Sequence, residues 1–205
     1  MNRFFLAMLA GASVVAAMFA TQPASADTAS DWDTCGRTGG GQVQIDACTR
    51  IIESDRSEAR GVAFGHRGTA YIYAGSYQRA IDDLDKAIPL LPVSALFTFR
   101  GTAYSLLKRY RRAIQDFDQA IKLEPQAVDF NNRGYCYFQL GQYQQSIQDN
   151  DRAIALKPDF AAAFYIRGHA KLKSGDKSGG NADVATAMKF EPKIAEQYAA
   201  YGVKP

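Results

Sequence analysis

Residues 94–126 read SALFTFRGTAYSLLKRYRRAIQDFDQAIKLEPQ, and residues 127–160 read AVDFNNRGYCYFQLGQYQQSIQDNDRAIALKPDF. Laid one over the other, both carry Phe at their fourth residue, Arg at the seventh, Gly at the eighth, Tyr at the eleventh, Ala at the twenty-seventh and Pro at the thirty-second. Extending the alignment outward adds 61–93 before them and 161–194 after them. The fourth position is then Phe64, Phe97, Phe130 and Phe164, and the eighth is Gly68, Gly101, Gly134 and Gly168. Ala87, Ala120, Ala153 and Ala187 share the twenty-seventh position, and Pro92, Pro125, Pro158 and Pro192 the thirty-second. Self-similarity at a fixed period of this size is the signature of a repeat architecture.

Inside each repeat the apolar positions follow helical periods. Positions 3, 4, 7, 8, 10, 11 and 14 fall on one face of a helix, which in 94–126 is Leu96, Phe97, Arg100, Gly101, Ala103, Tyr104 and Leu107. Ile114, Phe117, Ala120, Ile121 and Leu123 form the apolar side of a second helix. Small residues at positions 8, 20 and 27 let the two helices approach, and the ring at position 4 is expected to fill the core beside them. On that reading Phe97→Ala opens a cavity costing about 3–5 kcal/mol. The proline at position 32 ends the second helix, and Pro89 is expected to end the second helix of 61–93 early.

These residues at this spacing resemble the tetratricopeptide repeat, with Phe in place of its common first-helix Trp. The resemblance implies an all-α fold, a right-handed superhelical solenoid of antiparallel helix pairs. Four units, 61–93, 94–126, 127–160 and 161–194, would stand between an N-terminal capping segment, 27–60, and a C-terminal capping helix and tail, 195–205. The fourth unit departs from the pattern, with Lys171, Lys177 and Gly180 where core residues are expected, so fraying is expected over 175–181. Ile194, Tyr198 and Tyr201 recur at i, i+4 and i+7 as a short amphipathic helix that Gly202 stops.

Position 7, commonly Leu in that family, is Arg67, Arg100, Arg133 and Arg167, and position 23 is Asp83, Asp116, Asp149 and Asp183. Antiparallel helices bring these heights together, within one repeat or across to the next, which predicts a partly buried Arg–Asp pair repeated along the inter-helix seam. Cys136 occupies the small tenth position, held elsewhere by Ala70, Ala103 and Ala170, and reads as a buried structural thiol.

The N-terminus reads as a removable export signal over 1–26. Arg3 is followed by an uncharged, Ala-rich run from Phe4 to Ala20, then by Ala24-Ser25-Ala26, the small-x-small pattern of signal-peptide cleavage. No cysteine follows the run, so no lipid anchor is implied. Cys35 and Cys48 suit a disulfide in an oxidising compartment, which would tie a loop over 32–41 onto a helix beginning near Gln44. The periplasm is the expected destination, with secretion as the alternative. Thiol labelling without reductant should then find one reactive cysteine.

Of 205 residues 24 are basic and 21 acidic, too even a balance and too dispersed for a nucleic-acid binder. The basic cluster Lys108, Arg109, Arg111 and Arg112 reads as a solvated helix turn. Two histidines in distant repeats exclude a His-rich metal site, and no metal or other cofactor is expected. Gly36, Gly39, Gly40 and Gly41 lack the Lys-Ser/Thr of a phosphate loop, and no hydrolase or metalloprotease motif occurs. The chain is therefore expected not to be an enzyme.

The resemblance further implies a concave groove lined by first-helix positions 2, 5, 6, 9, 12 and 13. Its candidate residues are His66, Thr69 and Tyr73; Thr98, Phe99 and Thr102; Asn131, Asn132, Tyr135 and Phe138; and Tyr165 and His169. Rings beside amides and hydroxyls suit an extended peptide or an amphipathic helix. Exposed Phe99 and Phe138 are expected to favour a binding surface; the alternative is that capping segments or a second copy cover them. The Lys and Asn set with which some family members clamp a C-terminal carboxylate is incomplete here, Asn132 standing alone. Function is read as a non-catalytic protein-interaction scaffold of the bacterial cell envelope, binding a protein or peptide of unknown identity. The alternative is a self-associating protein whose groove is filled by another copy.

Overall fold

The computed structural model describes residues 26–37, 39, 41–54, 59–200 and 202–203, with backbone alone for 26–28. The predicted export signal lies outside the described residues except for Ala26, as does Tyr201 of the predicted terminal helix. Eleven helices and no strand occur among the described residues. In chain order they are α1 (Ala26–Gly36), α2 (Gly41–Ser54), α3 (Arg60–Tyr73), α4 (Tyr77–Leu90), α5 (Ser94–Leu106), α6 (Tyr110–Leu123), α7 (Ala127–Gln139), α8 (Tyr143–Leu156), α9 (Ala161–Ser174), α10 (Lys177–Phe190) and α11 (Ile194–Ala199). Described residues up to Arg109 form one compact unit and those from Tyr110 a second. Within each unit every helix packs on the next, and first helices also touch, α3 with α5 and α7 with α9. The all-α arrangement of consecutive helix pairs is the one expected from the repeat.

The repeat period is set by steric demands on both sides of the helix pair. A Cβ on Gly168 would stand 2.9 Å from the Gly180 carbonyl oxygen, and one on Gly180 would stand 2.8 Å from that of Gly168. Two glycines facing each other thus let α9 and α10 cross nearly backbone to backbone. Gly180 thus serves the crossing of α9 and α10, whatever it costs the start of its own helix. Helix α10 is complete over Lys177–Phe190, and Asp176 caps its start by accepting from the Gly179 N–H at 2.9 Å. Between the helices, the fifteenth position adopts the left-handed conformation in every repeat: Gly75 (φ 74°), Lys108 (58°), Gly141 (74°) and Gly175 (100°). Only the second repeat fills it with a residue bearing a Cβ.

Two expectations are corrected. Pro89 does not shorten its helix, which runs Tyr77–Leu90, as long as the other second helices. Proline in the last turn removes one donor near an end where carbonyls already lack partners, and the Leu91 N–H still reaches the Ala87 oxygen at 2.9 Å. Nor is the fourth position the core. Phe97, Phe130 and Phe164 are only half-buried, and each lies under the arginine three residues on, with guanidinium-to-ring distances of 5.8, 5.6 and 5.2 Å. Phe64, which is buried, is stacked by Arg67 at 5.6 Å in the same way. The fully buried large residues include Leu84, Phe117 and Asn150, all at position 24.

The arginines do more than pair within a repeat. Arg67 grips Asp83 through Nε (2.7 Å) and Nη2 (2.9 Å), Arg133 grips Asp149 (2.8 and 2.6 Å), and Arg167 grips Asp183 (2.7 and 2.6 Å). Each remaining Nη1 reaches back to the preceding repeat. Arg100 binds Asp85 at 2.7 Å, Arg133 binds Asp118 at 2.6 Å and Arg167 binds Asp151 at 2.7 Å. Those three aspartates share position 25. Arg67, with no repeat before it, donates instead to Thr49 of α2 at 2.8 Å. Burial pushes the Asp149 carboxyl above its usual range despite Arg133. Asp183 is equally hidden, but Arg167 and Lys171, whose Nζ stands 2.8 Å away, outweigh burial and hold it below that range. Lys171 therefore extends the charge network of the fourth repeat where a core residue was expected. Arg100 and Asp116 fall in different compact units, and their pairing stays a proposal.

Cys35 and Cys48 are disulfide-bonded, and Cys136 is free and buried. The segment that the bond ties down is not a loop, as expected, but helix α1, whose last turn carries Cys35. Gln44 of α2 donates to the Cys35 carbonyl at 2.9 Å, so the bond fastens one helix to another.

Candidate functional site

The predicted groove positions lie on the first helices, the layer formed by α3 with α5 and by α7 with α9, and most of them are covered. Phe99 is 5% exposed, not a free ring, and Phe138 is half-buried beside Tyr143 at 5.8 Å between ring centroids. Exposed Phe99 is therefore a corrected expectation. His66 and Tyr73 are half-buried, and burial lowers the proton affinity of the first and raises that of the second.

Helical geometry explains the hydroxyls. Thr69, Thr98 and Thr102 each donate back one turn, to Gly65 (2.9 Å), Ser94 (3.2 Å) and Thr98 (2.8 Å), so their oxygens are engaged within their own helices. The amides of the third repeat divide. Asn131 turns into the helix pair, donating to Asn150 at 2.8 Å, and Asn150 in turn donates to the Ser146 carbonyl at 2.8 Å. Asparagine at position 24, where Leu84 and Phe117 stand in earlier repeats, draws Asn131 inward, so Asn131 is no groove residue. Asn132 is buried.

An aromatic cluster is assembled in the second compact unit. Tyr135 meets Tyr110 edge to face at 6.2 Å, and burial pushes its phenol far up, with Tyr110, Cys136 and Tyr198 adding to the shift. Tyr165 is fully buried, its ring 4.5 Å from that of His169 and 5.3 Å from that of Tyr198. His169 is 3% exposed, and burial, reinforced by Lys173, lowers its proton affinity. The hydroxyl of Tyr165 and Nε2 of His169 are buried without a hydrogen-bond partner, as is Oε1 of Gln197. Of the candidates, Tyr165 and His169 are thus brought into one cluster, together with Tyr198 of α11, while Tyr135 pairs with Tyr110. Tyr110 and Gln197 were missed, since neither sits at a repeating first-helix position.

Among the described residues no group of His, Cys, Asp or Glu side chains could hold a metal ion. No helix of those residues is long and apolar enough to cross a membrane. The cluster is thus aromatic area with a few polar atoms left without partners, and Tyr198 of α11 covers it.

Tetratricopeptide-repeat family models match residues 95–126 and 127–160. No curated protein matches the sequence. Among solved structures, a crystal structure of MamA protein is similar with a TM-score of 0.70 and 22% identity, covering 83% of this chain and 94% of that one. MamA 41-end from Desulfovibrio magneticus RS-1 gives 0.73 and 18%, covering 82% and 97%. YrrB, described as a TPR protein with an unusual peptide-binding site, gives 0.65 and 19%, covering 78% and 82%. At these identities the likeness concerns the fold.

Proposed function

Since the chain is a tetratricopeptide-repeat protein, we propose that it acts by holding another protein and catalyses no reaction of its own. The observation that carries this reading is the first-helix cluster of Tyr165 and His169, buried aromatic area with unpartnered polar atoms that the chain's own Tyr198 covers. A short extended or helical segment of a partner is the ligand such a face fits. The organisation we propose is an export signal over 1–26, an N-terminal cap over 27–60, four repeats over 61–194 and a C-terminal cap over 195–205. The Cys35–Cys48 bond supports an oxidising compartment, and with the signal-like N-terminus it favours the bacterial envelope. Thr69, Thr98, Thr102, Phe99 and Asn131 shape the face rather than contact the ligand, whereas His66, Tyr73 and Phe138 retain exposed surface.

The test is affinity capture from an envelope extract with chemical crosslinking, comparing wild type with a Tyr73→Lys/Phe138→Lys double variant. A partner lost with the double variant supports the concave face; the same partner on both places binding elsewhere. A second reading, self-association, is favoured by the fact that the segment on the cluster belongs to this very sequence, so a second copy could supply it. Sedimentation across a hundredfold concentration range separates the two, a persistent monomer favouring a foreign partner.

A further inference from the structure

The C-terminal segment does not simply continue the stack. By sequence Ile194–Val203 imitates the opening of a fifth repeat, with Tyr198 where each repeat has Phe and Gly202 where each has Gly. It departs from that course at two points. Tyr198 packs on Tyr165, a lining position of the fourth repeat, instead of under an arginine, since residue 201 is tyrosine. Gly202, instead of continuing a helix, turns left-handed (φ 80°), and a Cβ there would stand 4.0 Å from Nε2 of Gln139, a lining position of the third repeat. A cap that merely covered the end of the array would have no reason to reach the third repeat. This segment lies back across two.

Its hold is made by three apolar anchors. Ile194, Tyr198 and Val203 are almost fully buried, Val203 at 1% exposure. The turn that delivers Val203 is closed by the Val203 N–H on the Tyr198 carbonyl (3.1 Å) and the Gly202 N–H on the Ala199 carbonyl (3.2 Å), the Schellman arrangement of a helix end. The polar fit beneath is incomplete. Tyr165 Oη, His169 Nε2 and Gln197 Oε1 are buried without partners, a condition that permanent interfaces avoid because each such atom loses its water and gains nothing. The tether joining α10 to α11 is Glu191, Pro192 and Lys193, of which the last two are exposed.

We infer that Ile194–Val203 is a built-in ligand of the third and fourth repeats, displaced by a partner segment of the same kind: a short amphipathic helix with aliphatic and aromatic anchors spaced like Ile194, Tyr198 and Val203. Such a partner gains over the resident segment by offering hydrogen-bond groups to Tyr165 and His169. Because the resident occupies the site, a competitor's apparent affinity is reduced by the fraction of chains that are closed. The partner half of the inference rests on the concave-face reading above.

The test uses the full chain and, as probe, a fluorescein-labelled synthetic peptide of residues 191–205, followed by anisotropy. Val203→Asp places a charge at a buried anchor beyond every repeat, so it opens the segment without touching the array. Tyr198→Lys is a second opening variant. Both should bind the peptide at least tenfold more tightly than wild type. Adding Tyr165→Ala to Val203→Asp should reduce that affinity at least tenfold, with far-UV circular dichroism checking that the helices persist. Equal binding by wild type and both opening variants overturns the inference, and so does a Tyr165→Ala background that binds undiminished. If these fail while Tyr73→Lys/Phe138→Lys still loses a captured partner, the self-ligand is wrong and the concave-face reading stands. The reverse pattern leaves a self-contained clasp with no foreign ligand.

Discussion

Arg133 and Asp118 belong to different repeats, and Nη1 of the first donates to Oδ1 of the second at 2.6 Å. The same guanidinium grips Asp149 of its own repeat with its other two nitrogens. One arginine therefore fixes the angle between two helices of a repeat and the register between neighbouring repeats. Stability in such arrays is a sum of repeat and interface contributions, and this side chain enters both. The fourth repeat has Ala185 at position 25, so the ladder ends there just as it begins at Thr49.

The two aspartates should differ in weight. Asp149 is nearly buried, and Asp149→Ala strands most of the Arg133 charge. A fully buried pair broken in this way costs about 3–5 kcal/mol. Because Arg133 remains about one-fifth exposed and keeps Asp118, we expect about 2 kcal/mol. Asp118, whose side chain is 46% exposed, should cost under about 1 kcal/mol when replaced by alanine. Urea denaturation of both variants decides the matter, and equal costs would contradict the division of roles.

The rings at position 24 and position 4 should also separate. Phe117 has no exposed surface, so Phe117→Ala should leave a cavity and cost about 3–5 kcal/mol. Phe97 is half-buried under Arg100, and Phe97→Ala should cost only about 1–2 kcal/mol, part area and part cation–π contact. Thermal and urea unfolding of the two variants give the comparison directly. The opposite order would restore Phe97 to the core.

That contrast shows where the sequence was legible. Spacing alone gave the helix pairs, the small eighth and twentieth positions and the Arg–Asp pairs of Arg67, Arg133 and Arg167, because each rests on a period. Position 25 escaped, since Asp85, Asp118 and Asp151 recur in only three repeats and the invariant aspartate at position 23 drew the pairing to itself. Phe117 was legible on the apolar side of its helix, but position 24 as a core position shared by the repeats escaped, because Leu84, Phe117 and Asn150 share burial but no residue type. The covered face was the least legible. Phe99, Tyr165 and His169 were placed by their offset, but what lies over the last two is a tail that keeps the period in sequence and leaves it in packing. A pattern of repeats says nothing about a segment that leaves it.

Lys108 offers a test of backbone strain. It holds a left-handed conformation (φ 58°) where the other three repeats use glycine. The left-handed region costs a residue with a Cβ about 1–2 kcal/mol, while glycine loses more freedom on folding. The balance predicts that Lys108→Gly stabilises by up to about 1 kcal/mol, and that Gly141→Ala destabilises by a similar amount. A fall in melting temperature for Lys108→Gly would show that the lysine is held there by something other than the turn.

Acid should loosen the C-terminal segment before it unfolds the repeats. Burial, with Lys173 reinforcing it, holds His169 below the ordinary histidine range, so the folded chain takes up this proton less readily than the unfolded one. The stability contributed by neutral His169 is therefore present above the unfolded value of about 6.5 and is lost as the pH falls from there toward the lower folded value. Of the groups beside it, Lys173 repels a positive charge on the imidazole, and the Tyr165 ring, 4.5 Å away, is uncharged. Protonation should then be relieved by release of Tyr198 and the segment behind it. Hydrogen exchange of the Gly202 and Val203 amides, slow at pH 7.5, should accelerate at pH 5.5 once corrected for the intrinsic pH dependence. In His169→Gln the two corrected rates should coincide. His66, also lowered by burial, lies in the other compact unit, so its titration adds to acid sensitivity there and leaves this local readout unchanged. Corrected rates in the wild type that agree at both pH values would remove His169 from any control of the segment.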